Sequence, residues 1–184
     1  MVSPRFYKAE GIVIRRRTIG ESDRILTLFT KEFGKITVIA KGIRRITSKR
    51  APLVEIFSRI SLLIHKGKTW VVVSEVRSLD NYNRLRTNLR VISVAYYICE
   101  LLDGLLPEKA EHRDIYALLI QTLQNLNLVE DDAHMIGELF SQRLLQRLGY
   151  VARDHEQQLT NLQLYIERII EKRLKTPKFM AQLG

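Results

Sequence analysis

The apolar pattern of this chain changes period once, near Asp80, and that single change limits what it can fold into. Before it, side chains alternate with period two, the spacing of a strand that buries one face. Residues 7–16, 24–30, 35–40, 57–65 and 69–76 each read this way or as β-branched and aromatic runs. Ile60, Leu62 and Ile64 alternate with Arg59, Ser61 and His65. Phe33-Gly34-Lys35 and Lys66-Gly67-Lys68 supply tight turns. No helical segment of any length interrupts these five strands. Five short antiparallel strands suit a small closed barrel.

After Asp80 the period becomes that of a helix. Asp80 or Asn81 is expected to cap a helix through Leu85, Leu89, Ile92, Tyr96 and Leu101, ended by Pro107. A second helix is expected over residues 114–126, through Ile115, Leu118, Leu119 and Leu123. A third runs from Asp132 to Leu148 with Gly149 as its C-cap, and a fourth starts near Leu159. Four amphipathic helices make a bundle. The fold class is therefore α+β: a five-stranded barrel over residues 1–79, then a helical domain over residues 80–184. The OB-fold is the commonest nucleic-acid-binding barrel of this size, and an SH3-like barrel has the same periodicity.

Charge divides at the same place. Residues 1–80 hold 17 Lys/Arg against 7 Asp/Glu, and residues 81–184 hold 13 against 13, so the net +10 belongs to the strand half. A basic module joined to a neutral one suggests a part that grips a polyanion, nucleic acid before anionic membrane. Three groups carry the charge. Arg15 and Arg17 share one face of a strand, with Arg16 on the other. Lys41, Arg44, Arg45, Lys49 and Arg50 crowd one loop that contains no carboxylate. Lys66 and Lys68 sit at a hairpin tip. Gathered on one rim, they would neutralise phosphates and release counterions. Phe29, Phe33, Phe57 and Trp70 are candidate platforms for unpaired bases, although Phe29 and Trp70 fit a core role better.

Other signals favour bland readings. Glu21 and Asp23 fit turn and strand-end roles better than a metal pair, for want of a third ligand. Glu130-Asp131-Asp132 suits a helix start, where negative charge complements the dipole. His65, His112, His134 and His155 have no metal-ligand spacing. Cys99, the single cysteine, lies on an apolar helix and is expected to be buried and inert. No phosphate-binding loop or nucleophile elbow appears, so no enzyme activity, metal or cofactor is expected. The longest apolar stretch, residues 91–99, is far short of a membrane span. A cytoplasmic, nucleoid-associated protein with no membrane contact is expected.

The order of residues also carries a resemblance. Gly11-Ile12-Val13-Ile14-Arg15-Arg16, Gly20-Glu21-Ser22-Asp23-Arg24-Ile25-Leu26-Thr27-Leu28-Phe29-Thr30, Phe33-Gly34-Lys35 and Ala40-Lys41-Gly42-Ile43-Arg44-Arg45 resemble the N-terminal pattern of the bacterial RecO DNA-repair family. It continues more weakly through residues 95–102, 145–150 and 174–179. The resemblance implies an OB-fold on a helical domain. It implies a protein that binds single- and double-stranded DNA, anneals complementary strands, and helps load recombinase onto single strands coated by single-strand DNA-binding protein. The partners it implies are RecR, the C-terminal tail of that coating protein and, indirectly, RecA. It places Arg24, Lys35, Lys41, Arg44 and Arg45 where the family keeps DNA-contacting cations. Many relatives carry a four-cysteine zinc module after the equivalent of Gly149-Tyr150. Here Val151-Ala152-Arg153-Asp154-His155 follows without a cysteine, so no zinc is expected.

Two other functions share parts of this reading. A basic barrel also suits an RNA-binding module of translation or RNA processing, because phosphate contacts do not distinguish RNA from DNA. A nuclease would need a carboxylate cluster that the sequence does not display.

Overall fold

The structure, a computed structural model, describes residues 6–45, 48, 50–67, 69–129, 132–151 and 161–177. The chain divides into two compact units, residues 1–81 with 106–113, and residues 82–105 with 114–184.

The first unit is a closed five-stranded barrel: β1 (Phe6–Ile19), β2 (Asp23–Thr30), β3 (Gly34–Ala40), β4 (Arg59–Lys66) and β5 (Val71–Asp80), in the spatial order β1-β2-β3-β5-β4. All neighbours are antiparallel except β3 and β5, which pair Val38 with Val71 and Ile39 with Val72 in parallel. This is the OB-type barrel expected. β1 serves two partners. Its first half pairs with β4 and its second with β2, with a bulge between Val13 and Arg15. A bulge bends a strand, which lets one long strand belong to both sides of a small barrel.

Alternation fills the interior. Val13, Leu26, Leu28, Ile36, Val38, Ile60, Leu62, Ile64 and Val73 form one buried cluster. β2 and β3 depart from a one-faced strand, because their other faces are buried as well. Ile25 pairs with Ile39 and Phe29 with Lys35 on the outside of the barrel, and all four are buried. The segment 106–113 accounts for part of this. Its Glu108 bridges to Lys35, the Lys109 amide donates to the Lys35 carbonyl at 2.8 Å, and the Thr37 hydroxyl donates to Glu108 at 3.2 Å. A Cβ on Gly34 would stand 1.8 Å from the Ala110 carbonyl oxygen, so this approach requires glycine.

The second unit holds α1 (Leu89–Leu105), α2 (Arg113–Leu126), α3 (Ala133–Arg147) and α4 (Leu162–Ile169). α1 starts later than its periodicity predicts. β5 runs on to Asp80, Leu85 falls in a 3-10 turn, and Asn88 is the cap, its side chain accepting from the Arg90 and Val91 amides at 2.9 and 3.3 Å. The buried stripe also turns. Val91, Val94, Ala95, Ile98 and Leu102 are buried with Leu101, whereas Leu89 and Tyr96 are exposed. On α2 the expected stripe of Ile115, Leu118, Leu119 and Leu123 is buried. On α3, Phe140 and Leu144 are buried but Leu139 is exposed. Gly149 closes α3 at φ 78°, as a C-cap glycine should. The expected start of the fourth helix, near Leu159, lies outside the described residues; α4 is capped by Asn161. Cys99 is buried in this unit, and burial, with Asp103 second, pushes its thiol far above the ordinary range. No helix among the described residues is long and apolar enough to cross a membrane.

Candidate nucleic-acid interface

Strand direction decides which cations meet. β1 and β3 point the same way, so β1 ends where β3 ends. The turn 20–22 and the loop after Ala40 therefore share one end of the barrel. Three hydrogen bonds join them: the Gly42 amide to Asp23 Oδ1 at 2.7 Å, the Arg44 amide to the Ser22 carbonyl at 2.9 Å, and Arg44 Nη1 to the Glu21 carbonyl at 3.1 Å. Asp23 is thus a fastener of the loop, in keeping with a structural role.

The loop follows from its sequence. Gly42 turns at φ 64°, and Ile43 then drops into the barrel core, fully buried. With Ile43 anchored, Lys41, Arg44 and Arg45 on either side of it are turned out and exposed. The chain returns through a 3-10 turn, Ala51–Val54, whose Val54 is also buried in the core. This sets Glu55 at the barrel mouth. There Glu55 pairs with Arg16, and with Arg24 at 3.2 Å. Arg16 and Arg24 belong to the inward-facing register of β1 and β2, since Arg16 pairs with Leu26 and Thr18 with Arg24. Arg15 and Arg17 lie on the opposite face and are exposed. Arg50 is half-buried and bonded to the carbonyls of Ser74 at 3.3 Å and Lys41 at 3.2 Å, which ties the loop to β5.

Arg15, Arg17, Arg24, Lys41, Arg44, Arg45 and Arg50 are therefore brought to one end. Lys49 and Lys68 lie outside the described residues. Lys35 and Lys66 do not join the group, and the expectation of a single rim is corrected by topology. β3 and β5 are parallel, so the hairpin that feeds β5, with Lys66, lies where β3 starts. Lys35 is at that same start and only 8 % exposed beneath the 106–113 segment. The aromatic candidates also separate. Phe29 and Phe57 are core residues, while Phe33 and Trp70 are exposed. Trp70 escapes its expected core role because it sits in the hairpin, just before β5 begins.

Glu55 was missed by reading cations alone. A signal was present: it is the sole carboxylate between Phe33 and Ser74, so it had a wide choice of arginines. Among the described residues no group of three or more His, Cys, Asp or Glu gathers as a metal site would require. The loop end can hold anions through exposed guanidinium and ammonium groups.

A closed OB-type barrel with cations drawn to one end, followed by a helical unit, defines a class of two-module proteins. Comparison of sequences makes this specific. The family pattern described as "Recombination protein O N terminal" matches residues 3–82, and that described as "Recombination protein O C terminal" matches residues 86–153. The chain belongs to the RecO family. It is 36% identical over 146 residues to a DNA repair protein RecO of Roseiflexus sp. (strain RS-1), covering 79% of this chain and 51% of that protein. It is 34% identical over 146 residues to the protein of that name in Pelotomaculum thermopropionicum, covering 79% and 56%. For the one in Dehalococcoides mccartyi the identity is 31% over 150 residues, covering 82% and 59%. The chain spans about half the length of these curated relatives.

Proposed function

We propose that this protein is a non-enzymatic DNA-binding and strand-annealing factor of recombinational DNA repair. It helps load a recombinase onto single strands coated by single-strand DNA-binding protein. The observation that carries the reading is the convergence of Lys41, Arg44 and Arg45 with Arg15 and Arg17 at one end of the barrel, all exposed. Family membership supports the choice of DNA repair, the role named for the relatives.

The mechanism is charge screening. Cations at the loop end neutralise phosphates of two strands at once, reduce their mutual repulsion, and let base pairing nucleate. The buried outer face of β2 and β3 refines this. OB-folds commonly take nucleic acid across that face; here Ile25, Phe29, Lys35 and Ile39 are enclosed, so the strands follow the loop end. Lys41, Arg44, Arg45, Arg15 and Arg17 contact phosphate directly. Arg24 contributes from beneath, held by Glu55. The helical unit docks the protein partners: RecR, the C-terminal tail of single-strand DNA-binding protein and, through them, RecA.

A strand-annealing assay with bare and with coated single strands tests the activity. A salt titration tests the physics. With about four phosphates neutralised, log affinity for single strands should fall against log salt with a slope of about −3. A slope near zero removes the electrostatic mechanism.

A further inference from the structure

The end of the barrel away from the cationic loop collects exposed rings. Phe6 at the start of β1 is 51 % exposed, Phe33 in the β2–β3 turn 36 %, and Trp70 in the β4–β5 hairpin 38 %. All three elements lie at the end where β3 begins. The rings are held. The Phe33 amide donates to the Thr30 hydroxyl at 3.1 Å, and that buried hydroxyl donates to the Gly34 carbonyl at 2.8 Å. In the hairpin, the Gly67 amide donates to the Trp70 carbonyl at 2.8 Å; a Cβ on Gly67 would stand 2.7 Å from that oxygen, so the turn demands glycine. Phe33 meets Tyr7 edge-on, centroids 6.3 Å apart at 82°, and Phe6 tilts against His65 at 5.5 Å and 54°. Neither contact is a face-to-face stack, and all three rings are partly exposed.

Lysines surround these rings. Lys8, Lys31 and Lys66 are exposed there. The nearby carboxylates are engaged: Glu32 accepts the Glu10 amide at 3.0 Å, and Glu10 Oε1 accepts Arg59 Nε and Nη2 at 2.9 and 2.7 Å. Exposed rings interleaved with cations suit unpaired bases, which offer a π-face for stacking and a phosphate at each step. A duplex hides its π-faces between stacked pairs and gains only the charge.

We infer that this end of the barrel is a second nucleic-acid site, selective for unpaired bases that stack on Trp70 and Phe33 while Lys31 and Lys66 meet the phosphates. The inference rests on the nucleic-acid-binding reading above and deepens it: the barrel holds backbone at one end and bases at the other.

Trp70 is the only tryptophan, so its emission reports on this site alone. The test uses the intact chain, a thymidine oligomer of about 16 nucleotides, the span of an OB-fold at the upper limit, and a duplex of equal length. Binding of labelled strands is followed by anisotropy and Trp70 by emission. Saturating oligomer should quench Trp70, and the duplex should not. Phe33→Ala with Trp70→Ala should weaken oligomer binding about tenfold or more and leave duplex binding within about twofold. Trp70→Phe, which keeps a stacking face, should restore most of the affinity and shows that loss in the alanine variant is not misfolding. Oligomer binding without a change in Trp70 emission, or equal loss of oligomer and duplex in the alanine variant, overturns this second site and leaves the loop end untouched. If neither nucleic acid binds the parent chain, both readings fall together.

Discussion

The two ends of the barrel are made by the same five strands and carry different chemistry. Where β1 and β3 finish, Arg15 and Arg17 project from β1, and one loop anchored by buried Ile43 and Val54 holds Lys41, Arg44 and Arg45 outward. Where β2 turns into β3 and β4 into β5, short turns built on Gly34 and Gly67 hold aromatic rings outward. Between that loop and these turns the difference is one of length. A long connection has enough residues to sink an anchor and still project charge. A tight turn has no spare residue, so whatever sits at its tip is exposed, even a tryptophan. Alternating strand direction then keeps the two populations apart.

The largest expected effect separates the ends by stability. Gly34 has φ 64° and lies against the Ala110 carbonyl, whereas Gly20, in the turn at the loop end, has φ 57° and open space around it. Gly34→Ala should cost about 3 kcal/mol or more, from backbone strain plus a clash with backbone that has nowhere to go. Gly20→Ala carries only the strain, about 1–2 kcal/mol. Urea unfolding of both variants checks this. Equal losses would mean that the 106–113 segment yields easily and does not fix the hairpin end.

The next effect separates the ends by binding. Replacing Lys41, Arg44 and Arg45 together with alanine should lower affinity for single strands and duplex alike, by about 100-fold at low salt. The log–log salt slope should become shallower by about 2, the share of three phosphates. Stability should hardly change, because exposed charges contribute little to folding. Filter binding across a salt series, with thermal melting alongside, measures both. Unchanged annealing by this variant would remove the loop end as the site.

How much of this was legible in the sequence follows the same division. Period-two alternation and two glycine turns marked the strands, although on β2 and β3 the outward residues Ile25, Phe29 and Ile39 are apolar and buried as well. The cationic loop was visible as composition. What stayed hidden depended on contacts distant in the chain. Leu106–Arg113 lies beyond α1 yet belongs to the barrel unit, and nothing local to Lys35 says that Glu108 and Lys109 will lie against it. Strand order was also unreadable: Lys66 resembles Lys41 in composition, and only the parallel pairing of β3 with β5 sends them to opposite ends. On α1, a 3-10 turn over Arg84–Thr87 takes Leu85, so the cap falls on Asn88 and the buried stripe leaves Leu89 and Tyr96 exposed.

The smallest effect concerns Glu55 and sharpens what the loop end is. Its carboxylate serves two arginines, Arg16 and Arg24, so the cluster carries one uncompensated positive charge. The three side chains are 31, 20 and 35 % exposed for Arg16, Arg24 and Glu55. Water therefore screens the pairs, and their loss should cost only about 1 kcal/mol. Glu55→Gln keeps one oxygen that accepts a hydrogen bond, removes the charge, and turns the other oxygen into an NH2 donor. If free cationic charge governs binding, this variant should melt a few degrees lower yet hold DNA about threefold tighter at low salt, with the slope steeper by about 0.7. The gain should fade at high salt, where the added charge is screened. Weaker binding at every salt concentration would reverse the roles. Glu55 would then be the strut that aims Arg24, and the loop end would bind through fixed geometry more than through surplus charge.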